Sequence, residues 1–299
     1  MSVNILLDRY RHRVNTVLQR YISKLSFKNT ALVGAMGYGT LLGGKRIRPL
    51  LVYATGNMLH ADDAALDVAA AAIECIHAYS LIHDDLPAMD NAYLRRGHPT
   101  CHRKFGEDMA ILAGDALQAL AYSILVNSPM PGVTKENRLA MLSELAHASG
   151  VTGMCGGQAL DLMSKGKRMT LEDLEKIHRY KTGSLICSAV RLGALTAGAY
   201  GKSVLPELDS FSHAIGLAFQ AQDDILDVIG DAGMMGKKTS SDKLSGKSTY
   251  PTLLGVSNTQ AKIRDLYQTS LSVLSILSEQ KYNTTMLRAL ASFIIQRNK

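Results

Sequence analysis

Apolar residues recur every three or four positions from the start of the chain. Val3, Leu7, Tyr10, Val14, Leu18, Tyr21 and Leu25 therefore fall on one face of a first helix. The same period returns in segments near 49 to 59, 66 to 85, 107 to 126, 136 to 161, 171 to 200, 204 to 229 and 260 to 296, which Gly, Pro or Asn signals divide. The last two segments are long enough to contain breaks. No fixed-period repeat, low-complexity tract, Pro/Ser linker or long charge block interrupts the succession, so residues 1–299 are expected to form a single large domain. The absence of Trp and the many Ala and Leu residues favour closely packed helices over sheets, which makes the expected class all-α.

Composition narrows the function classes. The 33 Lys and Arg residues against 26 Asp and Glu leave a charge of +7, which favours an anionic partner. Aromatic residues are sparse and no base-reading motif occurs, so nucleic acid is not the expected anion. Cys75, Cys101, Cys155 and Cys187 form no CxxC pair, which argues against a zinc site or a disulfide framework and for reduced cysteines. Arg9, Arg11, Arg13 and Arg20 belong to the first helical pattern; no apolar core or cleavage site of a targeting peptide accompanies them. Glu74 and His77, or Asp115, break the most apolar later stretches, so no transmembrane segment is expected and the protein is read as cytoplasmic.

Two acidic clusters carry the candidate chemistry: Asp84, Asp85 and Asp90 in DDLPAMD, and Asp223, Asp224 and Asp227 in DDILD. Each follows an apolar helical run, where a carboxylate must be paired, protonated or bound to a cation. Oxygen donors without Cys or neighbouring His suit a hard ion, and magnesium fills its octahedron with one or two carboxylates, waters and phosphates. The two clusters are thus expected to form two walls of one magnesium diphosphate site. On a helical wheel Gln220, Asp223, Asp224 and Asp227 share an arc of about 100°. Asp90, six residues on from Asp84, is turned about 240° away in a continuous helix. Pro87 supplies the necessary break, because it disfavours helical geometry at Leu86; Asp84 and Asp85 should end a helix and Asp90 return from an irregular segment. His77 and Ser80 lie two turns and one turn behind Asp84 on about the same side.

Cationic residues complete the pattern. GGKRIRP sets Lys45, Arg46 and Arg48 between glycines and Pro49, a residue suited to an early helical position, and a helix start adds free N–H groups for phosphate. Arg95 and Arg96 follow the first acidic cluster and can grip phosphate bidentately. The segment from Gly230 to Pro251, with four glycines and Lys237, Lys238, Lys243 and Lys247, reads as a flap over diphosphate, and Arg297, Asn298 and Lys299 could fold over the same entrance.

With GGKRIRP, ECIHAYSLIHDDLPAMD, LRRG, CGGQALDL, KTG, FQAQDDILD and GKSTYP in this order from about residue 27 onward, the chain resembles the trans-prenyl diphosphate synthase family, close to its bacterial farnesyl-forming members. The resemblance implies one polyprenyl synthase domain, a large helical bundle of the isoprenoid synthase type with a central active-site cavity, working as a homodimer. It implies magnesium-dependent head-to-tail condensation of isopentenyl diphosphate with dimethylallyl and then geranyl diphosphate, with three magnesium ions beside the bound allylic diphosphate. Asp84, Asp90 and Asp223 resemble the metal ligands, supported by Asp85, Asp224 and Asp227. Lys45, Arg48, His77 and Arg96 look like the isopentenyl diphosphate pocket. Arg95, Lys181, Thr182, Gln220 and Lys237 look like the allylic diphosphate side, with Lys247 added; Gln158 and Asp161 are expected to face the cavity. Tyr79, with Ser80 beside it, would form the floor that stops the product at fifteen carbons, and a twenty-carbon product is the alternative. Family members commonly carry further acids after Asp90, where this chain has Asn91, Ala92 and Tyr93. A weakly catalytic diphosphate-binding subunit and a class I terpene cyclase are more distant readings, the cyclase because DDILD is unlike its usual second metal motif.

Overall fold

A computed structural model describes residues 3–233 and 248–296. The regular elements of the described chain are helices but for one hairpin of two two-residue strands. Its elements are α1 (Val3–Ser23), α2 (Ala31–Leu41), α3 (Ile47–Met58), α4 (Asp63–Asp84), β1 (Leu94–Arg95), β2 (His98–Pro99), α5 (Cys101–Phe105), α6 (Glu107–Asn127), α7 (Lys135–Ser149) and α8 (Met154–Ser164), followed by α9 (Leu171–His178), a π-helical turn (Arg179–Gly183), α10 (Ser184–Thr196), α11 (Ala199–Lys202), α12 (Leu205–Gly233), α13 (Tyr250–Leu254), α14 (Val256–Glu279) and α15 (Thr285–Gln296). By contact the chain divides into two units, residues 1–142 with 192–201 and residues 143–191 with 202–299.

In the first unit α4 is the central helix. Asp62 caps its start by accepting from the Ala64 and Ala65 N–H groups. Its Ala69–Ala72 run, with Leu66, Ile73 and Ile76, has no exposed surface. Burial of each of the three larger side chains contributes about 1.5–3 kcal/mol. Small residues on neighbouring helices set the spacing: a Cβ at Gly56 of α3 would lie 2.8 Å from Leu66 Cδ1, and one at Gly114 of α6 would lie 2.7 Å from His83 Cε1. Both α4 and α6 are long and apolar enough by composition to cross a membrane, in spite of Glu74, His77 and Asp115. That departs from the sequence expectation, because a few polar groups barely lower the mean hydropathy of so apolar a stretch; α4 is nevertheless the buried centre of its unit.

The second unit packs α12 against α14 and α15. Leu174, Ala221, Ile225, Tyr250 and Ile263 form one buried cluster there, and Leu274, Leu277, Leu287, Leu290 and Ile294 are likewise buried. Three long periodic segments prove to be divided: 260–296 breaks between α14 and α15, as its length suggested, whereas α12 runs unbroken through 205–229. The 136–161 pattern breaks between α7 and α8, where a Cβ at Gly153 would lie 2.6 Å from the Ala148 carbonyl carbon. The 171–200 pattern is interrupted by the π turn, which widens the helix by one residue just where KTG occurs. Helix α2, the hairpin and α5 were not anticipated from periodicity; all are short.

Candidate active site

The DDLPAMD segment in the first unit folds as its proline requires. α4 ends at Asp84, the Asp90 N–H donates back to the Asp84 carbonyl at 2.9 Å, Asn91 N–H to Leu86 O at 3.0 Å and Ala92 N–H to Asp85 O at 3.2 Å. These backbone bonds close the loop without using the side chains of Asn91, Ala92 or Tyr93. Asn91 takes φ 47°, a left-handed conformation that Asn tolerates better than most residues. The absence of acids at these three positions therefore leaves the return of Asp90 intact. Asp84 is half-buried and Asp90 exposed at the mouth of the loop.

Asp85 has a different place. It is buried and accepts two hydrogen bonds from Arg95, Nε to Oδ2 at 2.7 Å and Nη2 to Oδ1 at 2.8 Å. The bidentate grip orients the guanidinium at the base of the hairpin. Beyond it the two-residue turn has φ 53° at Arg96 and φ 78° at Gly97, the paired positive angles that suit a tight hairpin. Arg96 Nη1 donates to the Gly43 carbonyl, and the guanidinium lies so close to Gly44 that a Cβ there would come within 2.9 Å of Nη1. LRRG is thereby fastened to GGKRIRP.

Arg48 and His77 meet across the start of α3 and the last turns of α4, with Arg48 Nη1 3.3 Å from His77 Nε2. Arginine can only donate, so Nε2 accepts and the ring proton sits on Nδ1. Burial, then the positive charges of Arg48, Arg96, Arg95 and Arg46, hold the His77 pKa well below its ordinary value, and the ring is neutral. Ser80 Oγ donates to the His77 carbonyl at 2.9 Å. Tyr79 is 6% exposed and packs edge-on to His83, ring centroids 5.6 Å apart, while His83 Nε2 reaches Ile111 O of α6 at 3.0 Å. Tyr79 thus lies on the α6 side of α4.

In the second unit close backbone packing assembles the KTG group. A Cβ at Gly157 of α8 would lie 2.6 Å from Lys181 Cα, and one at Gly216 of α12 would meet Gly183 Cα at 3.4 Å. Helices α8 and α12 can therefore both lie directly on the π turn. Lys181 Nζ donates to Asp161 Oδ2 at 2.7 Å, and Thr182 Oγ1 donates to Gln220 Oε1 at 3.1 Å. Gln220 passes the chain on, its Nε2 donating to Asp224 Oδ1 at 3.1 Å. Asp224, 5% exposed, also accepts the Tyr250 N–H at 2.9 Å and sits 3.7 Å from His178 Nε2. The polar arc of DDILD is thus divided: Asp224 turns inward to hold the start of α13, while Asp223 is half-buried and Asp227 exposed. Both amide atoms of Gln158 are buried without a protein hydrogen-bond partner. His178, whose ring stacks on Tyr250 with centroids 5.5 Å apart, had no sequence signal. Lys237, Lys238, Lys243, Lys247, Arg297, Asn298 and Lys299 lie outside the described residues.

Among the described residues no group of three or more His, Cys, Asp or Glu is arranged to hold a metal. What they offer are carboxylate pairs, Asp84 with Asp90 around a closed loop and Asp223 with Asp227 one helical turn apart. All-oxygen donors in such small number fit magnesium, which completes its sphere with waters and substrate phosphates. The four cysteines are free, and burial pushes the Cys75 thiol up to about 12 and those of Cys101 and Cys187 to about 11, so none of these three is a thiolate near neutrality.

The family model described as polyprenyl synthetase matches residues 29–280. The chain is 59% identical to the farnesyl diphosphate synthase of Escherichia coli K12 over 287 residues, 96% of each protein. It is 52% identical to the farnesyl diphosphate synthase of Haemophilus influenzae over 97% of each. Among solved structures, a geranyltransferase from Legionella pneumophila superposes with a TM-score of 0.87 at 35% identity, covering 99% of this chain and 97% of that one.

Proposed function

Because the chain belongs to the polyprenyl synthetase family, we propose that it is a farnesyl diphosphate synthase, joining isopentenyl diphosphate 1′-4 to dimethylallyl and then geranyl diphosphate. The observation that carries this reading is the cation group of the first unit, Arg48 on a neutral His77 with Arg96 strapped to Gly43, next in sequence to the Asp84–Asp90 loop. Lys45, Arg48, Arg96 and the Nδ1–H of His77 hold isopentenyl diphosphate. Arg95, kept in place by Asp85, and Lys181, Thr182 and Gln220 of the second unit hold the allylic diphosphate, joined by Lys237 and Lys247.

Asp84, Asp90 and Asp223 are the residues that would hold magnesium, in three ions when the allylic diphosphate is bound. When present, magnesium neutralises charge on the departing diphosphate. Lys181 and Arg95 supply positive charge to the departing diphosphate, lowering the barrier to breaking the allylic C1–O bond. The isopentenyl double bond attacks the resulting carbocation, and the proton lost afterwards goes to the departing diphosphate. No side-chain nucleophile takes part. Asp85, Asp224 and Asp227 act in support, the first two by holding Arg95, Gln220 and Tyr250.

The match from residue 29 to 280 runs through both units, which favours one polyprenyl synthase domain over residues 1–299. A homodimer belongs to the same reading. Ile111 and Leu112, 45% and 46% exposed, and Val126, 51% exposed, project from α6, with Leu139 of α7 at 68%; an apolar surface of this kind suits a second copy of the chain. A cytoplasmic location completes the reading.

The deciding assay incubates purified protein with magnesium, isopentenyl diphosphate and dimethylallyl or geranyl diphosphate, then separates the dephosphorylated products. A fifteen-carbon alcohol is expected. No elongation rejects the enzyme, a twenty-carbon alcohol indicates geranylgeranyl diphosphate synthase, and a cyclic hydrocarbon indicates a cyclase.

A further inference from the structure

Arg46 is the one cation of GGKRIRP assigned no substrate, and it is almost wholly buried. Its side chain is 2% exposed and that of Glu74 3%, with Nη1 donating to Glu74 Oε1 at 2.5 Å. The other two nitrogens are engaged as well: Nη2 donates to the Thr40 carbonyl at 2.7 Å and Nε to Asn15 Oδ1 at 2.9 Å. One guanidinium therefore ties α1, the end of α2 and the middle of α4 to the N-cap residue of α3. Its backbone adopts φ 53°, a left-handed conformation unfavourable for a residue with a Cβ and maintained where the surroundings over-determine it. The Arg46 carbonyl accepts the Leu50 N–H at 2.9 Å and so starts α3.

Stability alone does not account for such a pair. Desolvating two charges is costly, and well-packed apolar residues of similar volume commonly serve at least as well. Glu74 Oε2, moreover, is buried without a hydrogen-bond partner. What the ion pair supplies is direction: a planar fork fixes the guanidinium relative to three elements at once, which an apolar contact does not do.

The neighbours show what is being directed. Lys45 and Arg48 lie one residue before and two after Arg46, and His77 lies three after Glu74 on the same face of α4. Arg46–Glu74 and Arg48–His77 are thus successive rungs between the start of α3 and α4.

We propose that Arg46 and Glu74 are positioning residues that set the isopentenyl diphosphate groups, holding the left-handed turn of GGKRIRP so that Lys45 and Arg48 stand against His77. The proposal rests on the assignment of isopentenyl diphosphate to Lys45, Arg48 and His77. Neither Arg46 nor Glu74 touches substrate. Their loss acts by displacing groups that do, an effect that reaches a hundredfold for shifts of about 1 Å.

The test compares steady-state kinetics and melting temperature of wild type, Glu74→Gln, Arg46→Lys, the double variant Arg46→Met/Glu74→Leu, and Arg48→Ala. Glu74→Gln keeps the shape and loses the charge; Arg46→Lys keeps the charge and loses the fork. Each is expected to raise KM for isopentenyl diphosphate about tenfold or more, with KM for geranyl diphosphate within twofold. The double variant should regain most of any lost melting temperature while its isopentenyl KM stays high. It also carries the test if either single variant fails to fold. A double variant with wild-type KM, or single variants in which both KM values move together or neither moves, overturns the proposal, because the pair would then be filling space only. Arg48→Ala separates the two levels: an unchanged isopentenyl KM there means that the underlying substrate assignment has failed.

Discussion

Truncation of Tyr79 to Ala tests the reading of product length. The ring is 6% exposed, so the substitution removes a nearly buried aromatic; large-to-small changes of this kind cost about 3–5 kcal/mol, including the lost edge contact with His83. With an unfolding entropy of about 2.1 cal/mol/K per residue, a loss of about 4 kcal/mol in a 299-residue chain lowers Tm by about 6 °C. The space vacated has a natural occupant. Burying five further carbons of a prenyl chain returns about 0.8 kcal/mol each, about 4 kcal/mol together, comparable with what the ring contributed. If Tyr79 is the floor, Tyr79→Ala should therefore convert the main product from fifteen to twenty carbons or longer, and Tyr79→Phe should retain fifteen. Chromatography of dephosphorylated products after incubation with isopentenyl and geranyl diphosphate reads the outcome. A folded Tyr79→Ala protein with the lowered Tm and an unchanged product would refute the reasoning.

Gly157→Ala drives a Cβ into the backbone of the π turn, where overpacking costs about 1–3 kcal/mol; displacement of Lys181 and Thr182 should raise KM for the allylic diphosphate at least several-fold, while Gly216→Ala, whose Cβ meets Gly183 at an ordinary 3.4 Å, should stay near wild type. The folded pKa of His77 lies below its unfolded value near 6.5, so as pH falls through 6.5 the unfolded chain takes up a proton that the folded chain refuses. This contribution to stability is complete above that pH and is lost below it at about 1.4 kcal/mol per pH unit. Urea unfolding from pH 7 to pH 5 should show the steeper loss in wild type, and an equal slope in His77→Gln contradicts the assignment. Asp224→Ala leaves the Tyr250 N–H and the Gln220 amide without their acceptor, at a cost of about 1–3 kcal/mol for each, whereas Asp223→Ala should raise the magnesium concentration for half-maximal activity with little change in the urea midpoint. A raised magnesium requirement in Asp224→Ala alone would reverse these two roles.

Several features of the site are local and so were legible in the amino-acid order. The return of Asp90 after Pro87 follows from what proline does to the residue before it, and the Asp90 N–H on the Asp84 carbonyl realises it. The α3 start at GGKRIRP and the end of α4 at Asp84 agree with their periodic patterns, which act over a few residues, whereas α4 begins at Asp63, three residues ahead of its pattern, because Asp62 caps it. The breaks inside 136–161 and 171–200 were missed: Gly153 turns on Ala148 only five residues back, a local signal passed over, whereas the π turn lies against Gly157 in an approach that only the folded chain creates.

Charge tells the same story at longer range. Residue type and local spacing placed two acid clusters and several cations on the chain, enough to point to a metal and diphosphate. By themselves they could not tell Asp84 from Asp85 or Asp223 from Asp224, because adjacent carboxylates are chemically alike; only the family resemblance set Asp84 and Asp223 as ligands and Asp85 and Asp224 as support. Tertiary structure separates them: Asp85 is held by Arg95, ten residues away, and Asp224 by the Tyr250 N–H, twenty-six away. Arg46, similar in residue type to the cations beside it, is committed to Glu74, twenty-eight residues on. The physical reason is desolvation: a buried charge must find its partner within hydrogen-bonding distance, and packing rather than sequence distance decides which partner that is.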